Sequence, residues 1–112
     1  MDQTNKTTVG LKTFGNTIYF NSEAYIYYRV SHIQGRRLSK ILSELGYTAD
    51  KNVFLKTKSK IEYVRIDIMN RKFRHSSCQQ HSPIYERLPK KIKPIREKDL
   101  IEDLTWLSLE YT

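Results

Sequence analysis

His75, Cys78 and His81 lie in one polar stretch of this 112-residue chain, each separated from the next by two residues. Imidazole and thiolate are zinc ligands, but a zinc site wants a fourth donor and a rigid turn to hold the set. The surrounding HSSCQQHS offers serine and glutamine, with neither a paired cysteine nor a fourth ligand. These residues therefore read as loop residues, and no metal or cofactor is expected. Glu62 and Asp67 fall five apart in a strand-like run, which points them to opposite faces. That spacing does not build a two-metal site. No Walker loop, GxGxxG, GxSxG or HExxH occurs. No catalytic residue is expected, and the chain reads as a non-enzyme.

The remaining chemistry is cationic. Formal net charge is +8, which favours an anionic partner. Between Arg29 and Arg74 stand twelve bases and four acids, enough to account for the whole net charge. The candidate nucleic-acid contacts are Arg36, Arg37, Ser39, Lys40, Lys51, Lys56, Lys58, Lys60, Arg71, Lys72 and Arg74. Lys90, Lys91 and Lys93 are further candidates for phosphate. The end of the chain has the opposite sign: Asp99, Glu102, Asp103 and Glu110 lie there without a base.

These residues need elements to hold them. Leu38, Ile41, Leu42 and Leu45 recur at i, i+3, i+4 and i+7, one apolar helical stripe. Arg36, Arg37 and Lys40 lie off it, and Gly46 follows where a left-handed cap suits glycine. Val53–Leu55 and Ile61–Ile68 are strand-prone, and KTKSK between them places Lys56, Lys58 and Lys60 at a hairpin tip. Upstream, Gly15-Asn16 between VGLKTF and TIYF predicts a hairpin turn. Residues 22–33 are ambiguous. Ser22 and Glu23 suit a helix start, while Tyr25, Ile26, Tyr27, Tyr28 and Val30 suit a strand. The helix is preferred because it would pair with the next helix across Gln34-Gly35. Most of the tyrosines are expected in the core.

Residues Gly35 to Ile68, GRRLSKILSELGY followed by a basic strand-turn-strand, resemble winged-helix modules. Such modules are appended to viral and phage primase-helicases and occur in other small replication and regulatory proteins. The resemblance implies a recognition helix carrying Arg36, Arg37, Ser39 and Lys40, and a wing carrying Lys56, Lys58 and Lys60. It covers about a third of the chain, and no ATPase part accompanies it.

The expected architecture is α+β: an N-terminal hairpin, a basic helix, a basic hairpin wing and a C-terminal amphipathic helix on an extended arm. Residues 1–8 read as a mobile N-terminus and 9–75 as the basic domain. Residues 76–98 read as a Pro/Lys-rich connector, and 99–112 as an acidic helix. Leu100, Leu104, Leu107 and Tyr111 share one face of that helix, with Trp106 beside it. Folding back onto the core is preferred for this helix. Docking on a protein partner or on a second copy, with Trp106 as anchor, is the alternative.

The single cysteine excludes an intramolecular disulfide, and no apolar run is long enough to span a membrane. An intracellular, non-catalytic nucleic-acid-binding protein is the expected function, with DNA preferred over RNA. The competing reading is a small adaptor or inhibitor, of the kind viruses encode. It would act through the acidic helix, in one version within a ribonucleoprotein.

Overall fold

A computed structural model describes residues 5–7, 11–13, 15–20, 23–51 and 60–111. In chain order these form β1 (Asn5–Thr7), β2 (Asn16–Phe20), β3 (Glu23–Arg29), α1 (His32–Glu44), β4 (Thr48–Ala49), β5 (Lys60–Asp67), β6 (Lys72–Gln79), a 3-10 helix (Pro83–Arg87) and α2 (Glu97–Tyr111). One sheet has the order β1-β2-β3-β5-β6-β4. All neighbours are antiparallel except β4 and β6, which are parallel. The α+β class is as expected.

Alternation along β3 and β5 divides the core in two. Ala24, Ile26, Tyr28 and Val30 join Val64, Ile66, Ile68 and Phe73 beneath the helices, where Leu38, Ile41, Leu42, Leu100, Leu104 and Leu107 meet them. Tyr27 and Tyr63 point the other way, to a smaller cluster with Cys78 and Leu88. Ile84 and Tyr85 of the 3-10 helix pack against this second cluster.

Residues 23–29 are thus a strand, not the preferred helix. β3 is hydrogen-bonded to β2 on one side and β5 on the other, and its alternate residues enter the two clusters, so both of its faces are covered. The helix-turn-helix pair therefore loses its first helix. β5 is also central, paired with β3 and β6. Ile61–Asp67 is the expected strand, but it lies inside the sheet and not on the outer arm of a wing. Val53–Leu55, Lys56 and Lys58 lie outside the described residues.

The polar run after Asn70 corrects the loop reading. It is β6, and His75, Ser76, Ser77 and Cys78 in it are buried. The ladder with β5 pairs one edge of its backbone, and the buried His75 side chain finds a partner in Glu62. Asp67 makes the turn, accepting from the Asn70 backbone N–H at 3.1 Å and from Asn70 Nδ2 at 2.9 Å. Arg71 follows with φ 55°, in the left-handed region.

Two further segments differ from expectation, and a third is described in part. Residues 5–7 are not a mobile tail but β1, held by a ladder to β2. Of the expected hairpin VGLKTF-GN-TIYF, residues 9, 10 and 14 lie outside the described residues, and Asn16–Phe20 form β2, paired with β1 and β3. Gly15 lies against β3, where a Cβ would come within 2.5 Å of Tyr28 Cε1. The connector is not extended throughout. It contains the end of β6 and the 3-10 helix, capped by the Ser82 hydroxyl accepting from Ile84 N–H, and it buries Leu88 and Ile95.

Candidate nucleic-acid interface and the histidine–glutamate cluster

α1 begins at Ser31, whose hydroxyl accepts from the Gln34 N–H at 3.2 Å. Gly35, Leu38, Ile41 and Leu42 face inward. Leu45, the fourth residue of the expected stripe, is the C-cap and is partly exposed. Gly46 has φ 96°, the left-handed conformation foreseen for it. This orientation leaves Ile33, Arg36, Arg37 and Lys40 on the outer face at i, i+3, i+4 and i+7. All four are exposed. Among the described residues neither Arg36 nor Lys40 is within salt-bridge distance of a carboxylate.

The connector is fastened along the same helix. Gln34 Nε2 donates to the Lys93 carbonyl at 2.8 Å, and Arg37 Nη2 donates to the Ile95 carbonyl at 2.7 Å. Lys93 is thereby brought beside the α1 bases. Arg37 is partly committed to this clamp. Ser39 is half-buried and donates back to the Gly35 carbonyl at 2.9 Å, a local bond within the helix.

Of the other predicted bases, Lys56 and Lys58 lie outside the described residues, and the described ones are spread along the sheet. Lys60 and Lys72 stand at opposite ends of the β5–β6 ladder, about 24 Å apart at the usual rise per strand residue. Arg71 and Lys51 are exposed and lie near Lys72, since Thr48 N–H donates to the Arg71 carbonyl and Thr48 is level with Lys72. Arg74 lies on the sheet face away from α1, directly across from Arg65. Arg65 reaches Asp50 at 3.4 Å and lies over the Tyr25 ring at 5.1 Å. The Nε atoms of both Arg65 and Arg74 are buried without a hydrogen-bond partner among the described residues. The sequence reading did not include Arg65 among the contacts. Its position opposite Arg74 follows once the Asp67–Asn70 turn fixes the register.

Of the candidate partner-binding residues, Leu100, Leu104 and Leu107 lie in the chain's own core. The helix therefore folds back, as preferred. Trp106 (46% exposed) and Leu109 (80%) remain outside. The side chain of Tyr111 lies outside the described residues.

His75, Cys78 and His81 do not come together. His75 lies on the helix side, packed beneath Gly35, whereas Cys78 is in the opposite cluster. Burial pushes the Cys78 thiol above its usual range, against a smaller opposing effect from Arg29, so the thiolate is disfavoured at neutral pH. His75 instead meets His32 and Glu62. His75 Nε2 is 2.8 Å and His32 Nδ1 3.0 Å from the same oxygen, Glu62 Oε1. The two imidazoles are 5.6 Å apart, centre to centre. Sequence spacing could not reveal this trio, because its members come from α1, β5 and β6. Glu62 and Asp67 serve separate places, as their spacing required.

No family model, curated protein or solved structure matches this chain. Among the described residues no helix is long and apolar enough to cross a membrane.

Proposed function

We propose that the protein is a non-catalytic nucleic-acid-binding protein that uses the outer face of α1. One observation carries this reading: Arg36, Arg37 and Lys40 form an exposed stripe, and the connector at Lys93 is hydrogen-bonded alongside it. Such a band suits a phosphate backbone, which fixes orientation and supplies most of the affinity without reading sequence. Arg36 and Lys40 are the principal contacts, and Arg37 both contacts the ligand and holds the connector. The winged-helix resemblance was the ground for preferring DNA, and with residues 23–29 a strand DNA and RNA suit this surface equally.

The test is binding of labelled duplex DNA, single-stranded DNA and RNA by the wild type and by Arg36→Glu/Lys40→Glu. Loss of binding in a variant with unchanged circular dichroism supports the reading. Trp106→Ala is the contrasting variant and leaves nucleic-acid affinity unchanged. If the folded wild type bound no nucleic acid, a protein partner of α2, contacted through the exposed Trp106, would replace nucleic acid as the function.

A further inference from the structure

We infer that His32, Glu62 and His75 form a binding site for one zinc ion. The three offer two imidazole nitrogens and a carboxylate oxygen, and these atoms all lie within 4.8 Å of one another. Two histidines and one carboxylate are a recognised donor set for zinc, with the fourth position left to water. Glu62 Oε1 already lies between the two nitrogens, at 3.0 and 2.8 Å. In a tetrahedral zinc site donor atoms stand about 3.3 Å apart, given metal–ligand bonds of about 2.0–2.1 Å. The two contacts need to open only slightly, and the third nitrogen–nitrogen separation closes by rotation of His32.

The frame suits that adjustment. His75 and Glu62 are fixed on adjacent central strands, with side chains 4% and 13% exposed. The His32 side chain is 57% exposed and stands at the first turn of α1. It provides the movable ligand and the route by which the ion enters. Gly35 holds the His75 ring in place from above: a Cβ there would lie 2.3 Å from His75 Nε2. A close backbone approach over a ligand ring fixes its orientation, as supporting groups do in metal sites. Without the ion, the carboxylate accepts hydrogen bonds from both rings, so the metal-free arrangement is close to the metal-bound one.

The test uses the full chain and zinc chloride. Calorimetric titration of the wild type, His32→Ala and His81→Ala is combined with nitrogen-15 spectra of the histidine rings. One zinc per chain is expected, coordinated by His32 Nδ1 and His75 Nε2. His32→Ala should weaken binding by at least about 100-fold, the upper end of what loss of a supporting group costs, while His81→Ala binds as the wild type. The exposed His32 ring can be removed with the fold retained, which circular dichroism checks. Absence of zinc binding in the wild type, or undiminished binding by His32→Ala, would overturn the inference.

Discussion

Asp103 is a buried carboxylate on α2 that holds down the chain just before β2. Its Oδ2 accepts from the Lys12 N–H at 2.8 Å, the Thr13 N–H at 3.0 Å and the Thr13 hydroxyl at 2.9 Å. Since the Thr13 proton goes to Asp103, the Tyr28 hydroxyl 2.8 Å away donates to Thr13 Oγ1. Removing the acceptor leaves three donors unsatisfied. Asp103→Ala should therefore cost about 3 kcal/mol in urea denaturation, and Asp103→Asn, which keeps an acceptor, should cost less. The tyrosines predict an alkaline limit. Burial raises the phenols of Tyr28, Tyr47 and Tyr63 above their ordinary range. In the unfolded chain they ionise near pH 10. Their contribution to stability is complete below that pH and falls as pH rises beyond it, because the unfolded state loses its protons first. Ultraviolet titration should show these phenols ionising together with loss of the circular dichroism signal, and not before it.

At the scale of elements, two glycines of the α1 region separate packing from backbone strain. Gly35→Ala gains about 1 kcal/mol of helix propensity. The new methyl meets the buried His75 ring, however, and overpacking costs about 1–3 kcal/mol. Net destabilisation of about 1 kcal/mol is expected by thermal or urea unfolding. Gly46→Ala has open space around its Cβ, so only the positive φ costs, also about 1 kcal/mol. The two differ in that trimming His75 to Ala should relieve the Gly35→Ala penalty alone. α1 was legible in the sequence because one face is buried and the other wet, which gives a clear 3.6-residue period. β3 was not, because both of its faces are covered and Tyr25 to Val30 fit either a strand or a helix. β6 was hidden by its polarity. His75 is accommodated by Glu62, and Ser76 and Cys78 face the second cluster, none of which shows in a run that reads RHSSCQQ. The α2 stripe was legible in the same way as α1, and the buried side of Leu100, Leu104 and Leu107 follows from it.

For the whole molecule, the sheet is the divider. α1 and α2 cover one face, and the 3-10 helix with Leu88 covers the other. Among the described residues, the bases between Arg29 and Arg74 are consequently distributed around the protein. Charge density along the sequence raised the expectation of an anionic partner but could not indicate this division, which depends on the register of β5 against β6. The outer face of α1 is the place where bases from the helix and from the connector meet. The most direct measurement is therefore the salt dependence of nucleic-acid affinity, followed by fluorescence anisotropy for the wild type and Arg36→Glu/Lys40→Glu. The account predicts affinity that falls steeply with salt in the wild type. In the folded double variant the slope of log affinity against log salt should be shallower by about two, one for each phosphate contact removed. A wild type that binds no nucleic acid, or a variant with the same affinity and slope, would contradict the account.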